Sequence, residues 1–293
     1  DGIICKISDQ HFIATTTSSG APKVLADMEE YLQTEWPHLQ VYLNSITEQF
    51  STFNISGPKT REIMMKVFPN IDFSNEAFPF MTFKNFDYQE TKIRIMRASF
   101  TGELGYEIYI APKYGLELWK KIFSCGKVFN LIPYGTETMH LLRAEKGYIV
   151  VGQETDGTVT PIDLNYNWMI GKNKMDFIGK RSLSRPDTKR NDRKQLVGLS
   201  PVNKSDKIEE GQHIVEIDRL PKKIINPIKY LGHVSSSYHS PNLNQSIGLA
   251  MIKGGNNLIG QKFFVTASGK TQNIPVEIVN PVFIDPENKR LTS

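Results

Sequence analysis

Cysteine is scarce in this sequence. Its 293 residues hold two, Cys5 and Cys125, far apart and in no CxxC pair. That excludes a disulfide framework and a cysteine zinc site, and it fits a reducing, cytoplasmic compartment. Long apolar runs are missing too. The longest are short pieces such as Tyr148–Val151 and Leu249–Ile252, well under the ~18 residues of a membrane span. No charged-then-apolar leader stands in these residues. There is no GxGxxG, no GxxxxGK[ST], no GxSxG and no HExxH, so common nucleotide, serine-hydrolase and zinc-protease chemistries find no support. The six histidines (11, 38, 140, 213, 233 and 239) are not at ligand spacing, and no metal is expected. A large charge of one sign is also absent. The net charge is +4, and residues 180–194 alone, with seven Lys/Arg against two Asp, account for +5. That is not the charge profile of a nucleic-acid-binding face. The basic stretch reads as a solvated linker, with a docking site for an acidic partner as the other reading.

What is present is an ordinary globular composition, 39% hydrophobic and 23% charged, long enough for about two domains. Residues 2–7 and 11–15 are β-rich around Ser8-Asp9-Gln10, a hairpin signal. Pro22 suits the first turn of a helix carrying Val24, Leu25, Met28, Tyr31 and Leu32. Residues 41–46 and 50–55 read as strands, and Gly57-Pro58 opens a short helix to about Val67. Residues 70–90 look loop-like. The segments 92–96 and 107–110 alternate as strands, and helices follow around Leu116–Phe123 and Thr136–Lys146, the latter stopped by Gly147. After residue 194 short strands recur with turns every ten or so residues, and no helix is expected there. The predicted class is α+β: a mixed, mostly antiparallel region over 1–180, a basic linker over 181–194, and a small all-β barrel or sandwich over 195–293.

One segment carries chemistry. Residues 97–107, RASFTGELGYE, bracket an acidic turn with glycines and lead into a strand at Glu107. One reading is a surface turn followed by an exposed glutamate. The other is a carboxylate held against a planar heterocycle, accepting two parallel N–H bonds as it would from a guanidinium. RASFTGELGYEIYI (97–110), PYGTETMHLLRAEKGYIVVGQETDGTVTPIDLNYNW (133–168) and DFIGKRSL (176–183) resemble the folate-binding aminomethyltransferases of the glycine-cleavage T-protein family. Segments 34–50, 55–62, 232–255 and 280–291 resemble more closely the C-terminal region of the alpha subunits of heterotetrameric sarcosine oxidases. The resemblance is collinear over nearly the whole chain.

The resemblance implies a set of roles. The family motif R-x-x-[YF]-T-G-E-x-G-[YF]-E stands at Arg97 to Glu107, which makes Glu107 the pterin-binding carboxylate. Phe100 stands where many relatives have tyrosine and can stack but not donate. Asp1-Gly2-Ile3 matches the end of the catalytic aspartate motif, so Asp1 is the catalytic candidate, with a frayed terminal residue as the alternative. Thr15 and Thr16 fall on a strand that contacts folate. Arg143 and Tyr148 match the family's helix and its following aromatic, with a structural ion pair as the other reading of Arg143. Met139 replaces an arginine of the stand-alone enzymes, which favours the sarcosine oxidase branch. The implied cofactor is tetrahydrofolate, with FAD, FMN and NAD held elsewhere in a complex with other sarcosine oxidase subunits. The implied reaction is capture of a sarcosine-derived iminium to give 5,10-methylenetetrahydrofolate and glycine. A stand-alone aminomethyltransferase, a folate-dependent demethylase or a non-catalytic folate-binding or assembly module are the alternatives. The strand-like DGIICKI, which opens without a methionine, implies a piece of a longer chain.

Overall fold

The computed structural model describes residues 2–17, 19–221, 223 and 226–293. The chain forms two compact units. The first comprises Asp1–Ser99, Glu103–Pro133 and Arg290–Ser293, and the second Phe100–Gly102 and Tyr134–Lys289.

The first unit opens with a hairpin, β1 (Gly2–Ser8) and β2 (His11–Thr16), followed by α1 (Ala21–Thr34). Pro22 stands in the first turn of α1, where its missing N–H costs nothing. Four strands then make one antiparallel sheet: β3 (Ser51–Ser56), β4 (Phe83–Tyr88), β5 (Thr91–Met96) and β6 (Gly105–Ile110), in the order β3-β6-β5-β4. Helices α2 (Thr60–Val67) and α3 (Gly115–Gly126) complete the unit. Alternation decides which side is core. Ile55, Ile93, Ile95, Tyr106, Ile108 and Ile110 are buried in one cluster with Ile63, Met64 and Val67 of α2 and Leu118 and Ile122 of α3. Residues of the opposite parity, Asn54, Arg94, Met96, Glu107 and Tyr109, therefore share the other face.

Two readings from sequence change here. Residues 41–46 form no strand: their alternation has no neighbouring ladder to pair with, and Val41 and Tyr42 stay exposed. Residues 70–90 are not all loop, because β4 lies within them. That strand reads FKNFDY, poor in β-branched residues, since it is a solvated sheet edge joined to β5 through Gln89 and Glu90.

The second unit is built on helix α4 (Thr136–Glu145) and six antiparallel strands: β7 (Lys194–Pro201), β8 (His213–Val215), β9 (Gly232–Ser240), β10 (Gln245–Lys253), β11 (Lys262–Val265) and β12 (Ile274–Val279). They close a barrel in the order β10-β7-β12-β11-β8-β9, which settles barrel over sandwich. Val197, Leu199, Val234, Ala250, Ile252, Val276 and Ile278 fill its interior. Leu196, Leu249 and Met251, of opposite parity, pack outside it with Ala144, Ile149 and Leu164. Both faces of β7 and β10 are thus covered, which is why those strands read as nearly continuous apolar runs. A single helical turn, α5 (Lys289–Thr292), appears where no helix was expected; four residues are too few to leave a periodic signal. The basic stretch is partly docked rather than free. Arg193 donates to the buried Asp163 at 2.8 Å, and Arg190 pairs with Asp187 and Asp192.

The end of α4 shows how tightly one residue is constrained. The Gly147 N–H donates to Ala144 O at 3.0 Å and the Tyr148 N–H to Arg143 O at 2.9 Å, the paired bonds of a Schellman cap. Gly147 takes φ +73°, and a β-carbon there would lie 2.7 Å from Pro281 O. Gly147→Ala is expected to cost ~2 kcal/mol or more, from left-handed strain plus that clash. A urea titration would show it as a lowered midpoint at an unchanged slope.

Candidate functional site

Of the two sides of the β3-β6-β5-β4 sheet, the one away from the helices carries the titratable groups. On β6, Glu107 is half-buried, and its neighbour two residues on, Tyr109, donates its hydroxyl to Glu107 Oε2. Across the ladder Glu107 faces Asn54 on one side and Met96 on the other, and Tyr109 faces Arg94. The hairpin reaches the same face, where Cys5 Sγ lies 3.6 Å from Met96 Sδ. The inward residues of β1, Ile3, Cys5 and Ile7, alternate with exposed ones, as a strand covering another layer must. Phe50 meets Tyr109 edge-on, with ring centroids 6.3 Å apart.

The electrostatics of this face follow from burial. Desolvation pushes the Glu107 carboxyl above the usual carboxylate range, and the Tyr109 hydroxyl pulls it only partly back. Tyr109 is pushed upward by burial and by the adjacent carboxylate. Burial also raises the Cys5 thiol, with Arg94 opposing and Glu107 reinforcing, so Cys5 is a packing group and not an activated nucleophile. Among the described residues no cation lies within ion-pair distance of Glu107, and Tyr109 is its one hydrogen-bond donor. A half-buried carboxylate with one oxygen unclaimed suits a ligand that presents N–H groups.

The remaining predicted residues fall as follows. Asp1 lies outside the described residues. The Thr15 hydroxyl is engaged within the hairpin, accepting from the Ile3 N–H at 3.3 Å, and Thr16 Oγ1 donates to Thr17 O at 3.1 Å. Glu107, Thr15 and Thr16 belong to the first unit. Phe100, Arg143 and Tyr148 belong to the second, where the half-buried Phe100 and Tyr148 rings stack at 6.1 Å and 18°. Sequence reasoning missed Arg94, Met96 and Cys5, and noted Tyr109 only as a neighbour. The signal was there: in KIRIM and EIYI the residues between the isoleucines must face away from the core.

Arg143 is fully buried and mostly committed to protein. Its Nη1 donates to Glu154 at 2.9 Å and to Tyr148 O at 3.0 Å, and its Nη2 to Gln153 at 3.0 Å and to Ser236 Oγ at 2.7 Å. Glu154 is equally buried and accepts from Ser235, Ser236 and the Val150 N–H. A register shift in β9 makes this possible. Leu249 pairs with Ser236 and Ala250 with Val234, so Ser235 is an extra residue, and both serine hydroxyls reach the same carboxylate. Arg143→Met would leave Glu154 as a buried charge without its cation, and a loss of ~3–5 kcal/mol is expected. The double variant Arg143→Met/Glu154→Leu should recover much of it in a denaturant titration, because both charges are then gone.

Two family models match the chain, and their boundary falls inside the second compact unit rather than between the two units. Residues 1–174 match the GCVT N-terminal domain, and residues 194–285 match the glycine cleavage T-protein C-terminal barrel domain. A sarcosine oxidase subunit alpha from Corynebacterium sp. (strain U-96) is 44% identical over 291 residues, covering 99% of this chain and 30% of that protein. One from Rhizobium meliloti (strain 1021) is 36% identical, covering 99% and 29%. An aminomethyltransferase from Thermoanaerobacter pseudethanolicus is 30% identical over 252 residues, covering 86% and 64%. The chain thus spans less than a third of the sarcosine oxidase relatives it matches. In fold, it superposes on the crystal structure of glycine cleavage system aminomethyltransferase T from Bartonella henselae with a TM-score of 0.76, over 97% of this chain and 71% of that one, at 20% identity. The chain belongs to the glycine cleavage T-protein family.

Proposed function

We propose that this chain binds tetrahydrofolate and serves in folate-dependent one-carbon transfer, with Glu107 as the pterin anchor. The observation that carries the reading is the state of that carboxylate: half-buried, held by Tyr109, and with no cation beside it among the described residues. A pterin offers a ring N–H and an exocyclic amine side by side, the donor pair that an unclaimed carboxylate accepts. When bound, tetrahydrofolate supplies the nucleophilic nitrogen that takes up the one-carbon unit. The chain's part is positional. Glu107 fixes the ring's rotation, and Tyr109 fixes the carboxylate by its hydroxyl. Within the second unit Phe100 and Tyr148 form a stacked aromatic pair and the Arg143 guanidinium donates to the Tyr148 carbonyl; the resemblance assigns these three to the folate as well, with Arg143 as a positioning residue. Thr15 and Thr16, which the resemblance also assigns to the folate, lie at the end of β2, where the Thr15 hydroxyl accepts across the hairpin from the Ile3 N–H. Family membership supports the folate assignment, and the similarity to sarcosine oxidase alpha subunits supports a finer reading. In it the one-carbon donor is the iminium formed by sarcosine oxidation, with the flavin and nicotinamide chemistry held outside these residues and glycine as the other product. In this reading residues 1–180 bind the folate, and the barrel of 195–293 is a separate domain behind the basic linker.

The test separates ligand binding from structure. Glu107→Gln should lower the affinity for 5-formyltetrahydrofolate by more than about 10-fold, since a charge-assisted bond is lost, while the fold is kept. Stability gives the second readout. The folded-state pKa of Glu107 lies above its unfolded value, so its charge costs stability as pH rises through the folded pKa. Below the unfolded pKa both states are protonated and the cost vanishes. Glu107→Gln should therefore melt higher than wild type at neutral pH, and the gap should close on acidification. Unchanged folate affinity in a folded variant would remove Glu107 from the site.

A further inference from the structure

Two opposite charges stand on the polar face of the first unit's sheet and do not pair. Arg94 on β5 is the register partner of Tyr109 and Met96 that of Glu107, so Arg94 and Glu107 are diagonal neighbours, with β-carbons roughly 7–8 Å apart or somewhat less. That is within reach of both side chains, yet the guanidinium is turned aside. Its central carbon lies 5.4 Å from the Phe50 ring centroid and 5.3 Å from that of Phe83, and its Nε donates to Asn85 Oδ1 at 3.1 Å. Asn85 is its direct partner across the β4–β5 ladder. Two aromatic faces and one amide oxygen thus hold the group in place. The two terminal nitrogens have no partner among the described residues, and they are not sealed from solvent.

A guanidinium stays charged under all physiological conditions and recognises planar anions through two parallel N–H bonds. Here one edge is used and the fork of terminal nitrogens is left unfilled. Because the stem is already immobilised, little rotamer entropy remains to be lost on binding. We propose that Arg94 is a carboxylate receptor, taking a carboxylate brought to the site by the folate anchored at Glu107 or by the amino acid bound beside it. The proposal rests on the folate reading of Glu107 and adds a second, oppositely charged contact to it. Two carboxylates meet the requirement: one at the glutamate end of the folate, and one on the amino acid that takes part in the one-carbon step. The chemistry at Arg94 is the same for both.

Calorimetric titrations of the full-length protein distinguish them. The ligands are 5-formyltetrahydrofolate, the carboxylate-free 5-formyl-6-methyltetrahydropterin, and glycine in the presence of saturating 5-formyltetrahydrofolate. Arg94→Gln is expected to leave the pterin's affinity unchanged. If the folate end is the partner, the folate loses about 10- to 100-fold in affinity. If the amino acid is the partner, glycine binding is lost while the folate holds. Arg94→Lys, which keeps the charge but not the fork, should fall between wild type and Arg94→Gln, and a thermal melt confirms that each variant is folded. Arg94→Gln leaving all three ligands unchanged overturns the proposal, as does an equal loss for the carboxylate-free pterin, which would make Arg94 a ring contact. If the wild type binds neither pterin nor folate, the folate reading fails and this proposal falls with it. If folate binds and the variant changes nothing, the carboxylate receptor alone is wrong.

Discussion

The period-two alternation of β6 is the constraint on which the first unit depends. Tyr106, Ile108 and Ile110 are driven into the apolar cluster beneath α2 and α3, and each buried side chain of this kind is worth roughly 1.5–3 kcal/mol. A one-residue slip would exchange every side chain between the two faces, so the register is not free to drift. Glu107 and Tyr109 inherit their place from that register. The core on one side fixes a polar constellation on the other, and the constellation does not have to stabilise itself.

In the second unit a buried ion pair does a related job with the opposite energetics. Arg143 and Glu154 gain little net stability from their attraction, since both have left water. What they supply is geometry. One guanidinium ties α4 to the carbonyl of Tyr148, to Gln153 and to Ser236 of β9, and one carboxylate gathers two serine hydroxyls and the Val150 N–H. The extra residue in β9 is what delivers the second serine. An apolar replacement could match the stability but would not fix the path of the chain after Gly147, where the Tyr148 ring is set against Phe100.

Much of this was legible in the sequence, for identifiable reasons. The hairpin, α1, α4 with its glycine cap, and the succession of barrel strands follow from local signals: turn residues, a proline in a first turn, alternation. The strand at Phe83–Tyr88 was not legible, because its fitness for the sheet comes from its neighbour β5 and not from its own composition. The apparent strand at 41–46 was the converse case, with local alternation and no partner. At the site, the motif from Arg97 to Glu107 pointed to the carboxylate through resemblance, yet it is the ladder register that shows which groups surround it. Cys5 and Met96 meet from positions 91 residues apart, a proximity that no local pattern encodes. Tyr106, beside Glu107 in sequence, faces the opposite way and packs against Phe73 and Phe78.

The polar face of the sheet also shows why its groups are unlike ordinary surface charges. Pairing the two would take each further out of water, which offsets much of their attraction, so local contacts can keep them apart. Two aromatic rings and an asparagine suffice for Arg94, and a tyrosine hydroxyl suffices for Glu107. Each charge is then desolvated in part and satisfied in part. Burial pushes the carboxyl up and the guanidinium down, so both would be better solvated by a partner than by the protein alone. Were they paired with each other, neither would have capacity left for a ligand. Holding them apart keeps one acceptor and one donor fork on the same face.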